Sequence, residues 1–436
     1  MLGPSAVEQD VLVLGAGLGG LCAALALARR GFSVTIVDQQ APPWPRVGES
    51  FDWETPRLLE HFGLDLESLY ARRWLTRKPG VVLWSNSTRA DHTTTLSPSP
   101  LLMRALGRAT VSYHGDRSRI DEFILARAQE AGCRFIEDRV RKVELRGDRV
   151  EGVETQTHGR LNARYHIDAS GRARLVGRAA GARARPCGPK MINIRRRHRH
   201  DYDGRGTRLY LLHHEGRLVW AWNIHVDERT TDIGVVIPAS YLRETSADHR
   251  PRARPEDVYA EILSKIEPLS GFLASHAPEG PLHVCSFRND VVERIAGPNW
   301  LSVGEAAFVL DPISSGGVTA ALRSGRFASI LIGDALERGT PALTEREQRD
   351  YQQRLSQQVE FVNATVRDLF DYHLLWNEVG LAFYIRILVY PQFYMNWQNS
   401  VLPLRMRGGA RLLRVLQRQL RFVTASTVRA LDLIHR

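Results

Sequence analysis

The sequence predicts an α/β protein with three parts: a sheet-and-helix part at the N-terminus, an inserted part that is mainly β, and a helical C-terminal region. Three observations support this prediction. A glycine-rich turn joins an apolar strand to a helix within the first 50 residues. Residues 186–290 contain alternating, strand-like segments, whereas residues 341–436 show the apolar spacing of helices.

The N-terminal unit has the sequence features of a Rossmann-type dinucleotide site. The apolar run Val11–Leu14 predicts a buried strand that enters the G-x-G-x-x-G pattern formed by Gly15, Gly17 and Gly20. The first glycine permits a tight turn, the second lets backbone amides approach a pyrophosphate, and the third lets the helix pack closely. A second apolar strand ends at Asp38, where a carboxylate can accept hydrogen bonds from ribose hydroxyls.

Three further segments occur together with this glycine loop. They are Arg46–Ser50, Ile167–Arg172, and Gly304–Phe308 with the turn Asp311–Gly317 that follows it. Over about residues 10–330 this combination resembles FAD-dependent monooxygenases of the single-component fold and the related flavin-dependent halogenases. The resemblance implies FAD as cofactor. It also implies that the following residues bind it: Gly15, Gly17, Gly20, Asp38, Arg46, Glu49, Ser50, Arg117, Gly304, Glu305, Asp311, Pro312, Gly316 and Gly317.

The resemblance also implies a division of the chain into domains. A discontinuous FAD-binding domain is expected from residues 1–85, 111–185 and 291–340. A β-sheet substrate domain is expected from 86–110 and 186–290, followed by the helical region 341–436. Within the first of these domains we expect a helix over Arg119–Gly132 and a strand over Val140–Val150.

The turn near residue 315 is expected beside the flavin ring. In the resembling family Gly304–Glu305 contacts the ribityl chain, although those enzymes usually carry Asp where this chain has Glu305. A helix N-terminus after Ser315 would stabilise negative charge on the reduced flavin. Reduced FAD in this family reacts with oxygen to form a C4a-hydroperoxide, which then supplies the oxidising power.

Two reactions remain open at this stage, hydroxylation and halogenation. The segment Leu218–His225 resembles the halogenase signature W-x-W-x-I-P, but His225 replaces the proline. Lys78 lies where halogenases carry the lysine that holds the activated halogen. Arg77 and Ser314, however, stand where tryptophan halogenases carry Phe and Glu. These departures favour hydroxylation of an electron-rich aromatic ring such as an indole or a phenol.

The candidate catalytic residues are Lys78, Trp220, Trp222, His225 and Ser315. The two tryptophans alternate with Ala221 and would form an aromatic wall, and His225 would serve as an acid–base group. The alternatives are that the indoles are only core, that the histidine is only hydrogen-bonded within its strand, and that the lysine lies on the surface. A halogenase, a flavin dehydrogenase or reductase, and a non-catalytic FAD-binding protein are the rival functions.

The charge of the chain suggests an acidic partner. The net charge is +11, and residues 401–436 contain eight arginines and one acidic residue. An acidic peptide or protein carrying the reactive tryptophan is therefore one candidate substrate, as in the hydroxylases that build tryptophylquinone cofactors. The other interpretation of these arginines is a solvent-facing surface without a partner. The amphipathic stretch 410–422 is expected to pack on the body of the protein.

Several partners and compartments are disfavoured by the sequence. Only one glycine fingerprint is present, so a separate flavin reductase or direct NAD(P)H binding must reduce the flavin. No C-x-x-C pair, nucleic-acid motif, secretory signal or transmembrane stretch is found. These observations predict a cytoplasmic protein with free thiols and without a metal or nucleic acid.

Overall fold

The computed structural model describes residues 9–44, 46–86, 92–96, 109–242 and 254–371, which form a mixed α/β fold as predicted. The helices are α1 (Leu18–Arg29), α2 (Thr55–His61), α3 (Leu66–Ala71), α4 (Arg117–Glu130), α5 (Leu175–Ala179), α6 (Pro255–Lys265), α7 (Phe272–Ser275), α8 (Gly317–Glu337) and α9 (Glu345–Asp371). The strands are β1 (Gln9–Leu14), β2 (Val34–Asp38), β3 (Leu75–Lys78), β4 (Val81–Ser85), β5 (His92–Leu96), β6 (Ser112–Gly115), β7 (Arg134–Glu137), β8 (Val140–Arg146), β9 (Arg149–Thr155), β10 (Arg160–Leu161), β11 (Ala163–Asp168), β12 (Ala184–Arg199), β13 (Thr207–His214), β14 (Arg217–His225), β15 (Thr230–Pro238), β16 (Pro278–Val292), β17 (Ala296–Gly297), β18 (Trp300–Ser302) and β19 (Phe308–Val309).

The first sheet has the strand order β17-β18-β11-β1-β2-β7. Strand β1 pairs in parallel with β2 and β11, so the carboxyl ends of these strands meet at one edge of the sheet. Helix α1 leaves β1 at that edge and packs on α8. The two helices approach closely because a Cβ on Gly325 would overlap the carbonyl oxygen of Gly19. This contact brings a segment from residue 317 onward next to the first glycine loop.

The second sheet has the order β19-β16-β12-β15-β14-β13-β4-β5 and is largely antiparallel. Its two faces separate by strand alternation. Val219 and Ala221 pack on one face against Val258 of α6. Trp220 and Trp222 project from the other face, toward the first sheet. The insertion therefore supplies an aromatic wall opposite the glycine loop.

One predicted element differs from the structure. The single strand predicted over Val140–Val150 is wrong, because the chain reverses at Gly147 with φ +57° and forms the hairpin of β8 and β9. Glycine adopts this left-handed conformation without steric cost. Of the helix predicted over residues 341–436, α9 is described from Glu345 to Asp371. Residues 372–436, including the amphipathic stretch 410–422, lie outside the described residues.

A membrane-spanning helix is not found among the described residues, since none of their helices is both long and apolar enough. The cysteines Cys22, Cys133, Cys187 and Cys285 are all unpaired, which agrees with the predicted free thiols.

Candidate active site

One continuous cavity of about 690 Å³ runs from the glycine loop of the first sheet to the aromatic wall of the second. Most of the residues that the sequence singled out line it. These are Gly15, Gly17, Gly20, Asp38, Arg46, Glu49, Ser50, Arg117, Trp220, Trp222, Gly304, Glu305, Pro312, Ser315 and Gly317. Four predicted site residues do not line the cavity, namely Lys78, His225, Asp311 and Gly316.

The glycine loop has the shape that a pyrophosphate needs. Gly15 has φ +101°, and a Cβ there would lie 2.5 Å from the carbonyl oxygen of Ala169. At Gly17 the nearest atom to an added Cβ is 3.4 Å away, so the space above this residue belongs to the cavity. Asp38 ends β2 and accepts the N–H of Ala16 at 2.7 Å. Its carboxylate thus faces the start of α1, where a ribose would lie.

The segment Arg46–Ser50 is held against this loop by charged side chains. Arg117 forms two hydrogen bonds with Asp121, each 2.9 Å long, and donates a third to the carbonyl of Val47 at 3.0 Å. Arg46 donates to the carbonyl of Ala16 at 3.3 Å, and its buried Nε has no hydrogen-bond partner among the described residues. This Nε lies 3.8 Å from Asp121 Oδ2, and a guanidinium beside the glycine loop suits an anionic diphosphate.

The turn Asp311–Gly317 closes the other end of the cofactor site. Asp311 accepts the N–H of Ile313 at 3.0 Å and an amide hydrogen of Asn289 at 3.1 Å, so it shapes the turn from behind the cavity. Burial raises the pKa of this carboxyl to about 6. Ser315 adopts φ +50°, and its hydroxyl lies 3.4 Å from that of Ser50. Helix α8 begins directly after, with its N-terminus at the cavity.

These features fit FAD. The glycine loop and Arg46 would hold the pyrophosphate, and Asp38 would hold the ribose. The start of α8 at Gly317, where an added Cβ would meet no atom within 4 Å, leaves room for the isoalloxazine ring. A bound flavin would there lie between Ser315 and the indoles of the second sheet.

A buried ion-pair network fixes the aromatic wall. Asp232 accepts hydrogen bonds from the Arg195 guanidinium at 2.5 Å and from the Trp222 indole N–H at 3.2 Å. The same guanidinium lies 3.4 Å from a carboxylate oxygen of Glu49. Burial and the nearby charge of Asp232 raise the pKa of Glu49. The network links a cofactor-site residue to one indole of the wall.

Gly234 makes room for that indole. A Cβ on Gly234 would overlap the ring of Trp222, which is anchored by Asp232. We predict that Gly234→Ala lowers the free energy of unfolding by about 1–3 kcal/mol, because the ring has no free rotamer. Gly271 has open space around it, so Gly271→Ala should stay within about 0.5 kcal/mol of the parent. Urea denaturation measures both variants, and equal stability of the two would contradict this packing.

Lys78 is buried, with 1% of its surface exposed, and lies just behind the cavity wall. Its Nζ donates to Ser50 Oγ at 2.9 Å and to the carbonyl of Phe51 at 2.8 Å, and it lies 4.8 Å from the centre of a Trp53 ring. Burial lowers the pKa of this amine to about 8. The alternative that Lys78 is an ordinary surface lysine is therefore wrong.

The structure does not bring His225 to the indoles. Trp220 and Trp222 stack obliquely with ring centres 5.5 Å apart and line the cavity. His225 lies three residues after Trp222, and strand alternation therefore turns it to the opposite face. There its Nε2 is 3.0 Å from His200 Nδ1, and burial lowers its pKa to about 4. This geometry favours the hydrogen-bonded histidine that the sequence left as the alternative.

Sequence reasoning missed two residues that extend the site behind Ser50. Thr207 Oγ1 lies 2.9 Å from Ser50 Oγ and 2.8 Å from His114 Nε2. Neither residue belongs to a motif. His114 of β6 forms a backbone bridge with Ser50, and β13, which pairs with β4, places Thr207 beside the same residue. No signal in the sequence alone could have identified them.

Comparisons with known families agree with this site. Residues 83–368 match the model of the tryptophan halogenase family, and residues 10–43 match an FAD-binding domain. Tryptophan 2-halogenase of Chondromyces crocatus is 25% identical over 362 residues, which are 79% of this chain and 65% of that protein. The chain thus spans slightly less than two thirds of this relative. The 1H-pyrrole-2-carbonyl-[peptidyl-carrier protein] chlorinase of Pseudomonas fluorescens is 23% identical, covering 76% of each chain.

Solved structures show the same fold. The flavin-dependent brominase Bmp2 superposes with a TM-score of 0.76 at 18% identity, covering 95% of this chain and 99% of the brominase. A variant of halogenase PltM in complex with FAD gives a TM-score of 0.71 at 17% identity, covering 86% and 80%. Together with the match of residues 10–43, these comparisons confirm the predicted fold class and FAD as the cofactor.

Proposed function

The chain belongs to the tryptophan halogenase family, and we propose that it is an FAD-dependent oxidoreductase that places a halogen on an electron-rich aromatic ring. The observation that carries this proposal is the position of Lys78. Its amine donates to Ser50, which lines the cavity that fits FAD, and burial lowers its pKa to about 8. An amine that readily becomes neutral is a nucleophile for an electrophilic halogen.

The predicted hydroxylation is wrong. The family match over residues 83–368 and the halogenases among the relatives support the alternative that the sequence left open. Three departures, at Arg77, Ser314 and His225, had favoured hydroxylation. Of these, His225 faces away from the cavity and the Ser314 hydroxyl is donated to the carbonyl of Asp311, so neither side chain argues for ring hydroxylation. Hydroxylation of a tryptophan within a polypeptide is therefore not supported either.

The step assigned to this chain is halogen transfer by Lys78, whose nitrogen takes the halogen and then passes it to the ring. Reduced FAD, with oxygen and a halide ion, supplies hypohalous acid. The neutral Lys78 amine takes the halogen: the nitrogen–halogen bond forms, the oxygen–halogen bond breaks, and an amine proton leaves with hydroxide as water. The aromatic ring then takes the halogen, and its displaced proton returns to the nitrogen. Trp220 and Trp222 form the apolar wall between the cofactor site and the bulk of the second sheet.

The proposed partners follow from charge and from the relatives. A separate flavin reductase would supply the reduced cofactor, and direct NAD(P)H binding is the alternative that the single dinucleotide loop leaves open. A substrate ring carried on an acidic carrier protein suits the net charge of +11, and one relative is named for such a substrate. A free aromatic metabolite is the other outcome that the experiment distinguishes.

Turnover with bromide tests this function. The purified chain would be supplied with FAD, a flavin reductase, NADH, oxygen and bromide, and offered indole, phenol and pyrrole rings, both free and as thioesters on a carrier protein. We expect product in which bromine replaces hydrogen, identified by its isotope doublet, only when bromide is present. Catalase in every reaction removes peroxide as a source of unspecific bromination. Product that gains only oxygen would contradict the proposal.

A further inference from the structure

A chain of hydrogen bonds joins the Lys78 amine to a buried imidazole. Lys78 Nζ lies 2.9 Å from Ser50 Oγ, Ser50 Oγ lies 2.9 Å from Thr207 Oγ1, and Thr207 Oγ1 lies 2.8 Å from His114 Nε2. His114 has no exposed surface, and the other three side chains are buried. The four groups come from three strands and the Arg46–Ser50 segment. They form one continuous path, and two of its members, Ser50 and Thr207, also line the cavity.

The hydrogen bonds along this path can all be donated in one direction, from Lys78 toward His114. The Lys78 ammonium can only donate, so Ser50 Oγ accepts from it and has its own hydrogen free for Thr207. At the far end, the Thr76 hydroxyl donates to the carbonyl of His225 at 2.8 Å. Its oxygen is thus free to accept from His114 Nδ1, which lies 3.5 Å away. In the Nδ1–H tautomer, Nε2 accepts the hydrogen of Thr207.

Lys78 and His114, the two ends of the path, are not expected to carry a positive charge at the same time. The titratable and charged groups that face His114 are Lys78 of β3, Arg208 of β13 and His225 of β14, and none of them is an acid. Burial and these neighbours hold the pKa of His114 well below its ordinary value. Asp52 is the charged group that faces Lys78. A second positive charge among these buried groups is disfavoured, whereas moving one proton along the path keeps the charge constant.

We propose that His114 accepts the proton of the Lys78 ammonium through the hydroxyls of Ser50 and Thr207, and so frees the amine to take the halogen. In this step Lys78 gives a proton to Ser50, Ser50 gives its hydroxyl proton to Thr207, and Thr207 gives its own to His114 Nε2. No electrons move, and each hydroxyl is restored. The inference rests on the proposed halogenase function. His114 is a positioning residue, because it acts on the reacting amine through two others.

Two variants break this path, and one should preserve it. Thr207→Val removes the bridging hydroxyl, and His114→Gln keeps an acceptor near the Nε2 position but cannot carry a proton. Both should lower kcat for bromination at pH 7 by about 10²-fold, the usual worth of positioned proton transfer. The loss should shrink as pH rises through the pKa of Lys78, because solvent then removes the proton. Thr207→Ser should retain at least about half of the parental kcat and its pH profile.

The outcomes separate this inference from the function on which it rests. Parental kcat and pH profile in Thr207→Val and His114→Gln would overturn the inference, as would an equal loss in Thr207→Ser, which would indicate packing alone. If the parent brominates nothing, the function fails, and a second measurement still tests the path. The chain has only four lysines, so NMR of isotope-labelled lysine resolves the Lys78 amine. In His114→Gln the exchange of its amine protons with solvent should slow, and an unchanged exchange rate would overturn the inference.

Discussion

Replacing Lys78 by methionine is expected to abolish ring halogenation while FAD remains bound. Methionine fills the same buried space with an apolar chain, but it offers no amine to carry the halogen. Removal of a group that forms a covalent intermediate typically costs about 10³-fold or more in rate. Bromination of the best ring, measured as product per enzyme by liquid chromatography, gives the size of the effect. Flavin absorbance of the same sample shows that the cofactor site is intact.

Two control variants sharpen this prediction. Lys265 lies on α6 and pairs with Glu261 at the surface, so Lys265→Met should brominate at the parental rate. Lys78→Arg keeps the positive charge, but its guanidinium stays protonated and should therefore be as inactive as methionine. Parental turnover in Lys78→Met would show that halogen reaches the ring without this amine, and the assignment of Lys78 would be withdrawn.

Gly17→Val is expected to prevent FAD binding. The added side chain would meet no close neighbour within the protein, since the nearest atom to its Cβ is 3.4 Å away. It would instead occupy the space through which the backbone amides reach the pyrophosphate. We expect FAD affinity to fall by at least about 10²-fold, which corresponds to about 2.7 kcal/mol.

Fluorescence titration of the apoprotein with FAD measures this effect. Gly271 also has open space around it but directly precedes the short helix α7, away from the cavity, so Gly271→Val should bind FAD like the parent. Circular dichroism should be the same for the parent and both variants. A Gly17→Val protein that is folded and binds FAD normally would place the dinucleotide elsewhere.

The parts of the site that the sequence predicted are those that depend on local geometry. The turn at Gly15 and the helix start after Ser315 follow from glycine conformations and spacing within a few residues. The paired indoles of Trp220 and Trp222 follow from strand alternation. The same alternation, applied to His225, would have placed it on the opposite face. The replacement of the signature proline by His225 was therefore weaker evidence against a halogenase than the sequence analysis assumed.

The environment of Lys78 could not be predicted in this way. Burial lowers its pKa, and the groups that surround its amine, Ser50, Phe51 and Trp53, lie more than twenty residues away in sequence. Thr207, more than a hundred residues away, completes the path to His114. Long-range contacts of this kind decide whether a lysine is a solvent-facing charge or a reactive amine. Because the sequence does not reveal these contacts, hydroxylation was wrongly favoured.

The central claim is that Lys78 carries the halogen, and its most direct test is the mass of that residue after turnover. The enzyme would be run with reduced FAD, oxygen and chloride in the absence of any aromatic ring, then digested and sequenced by tandem mass spectrometry. We expect one chlorine in place of one hydrogen on Lys78, at none of the other three lysines, and its loss when a ring is added. An unmodified Lys78 in enzyme that still chlorinates the ring would contradict it.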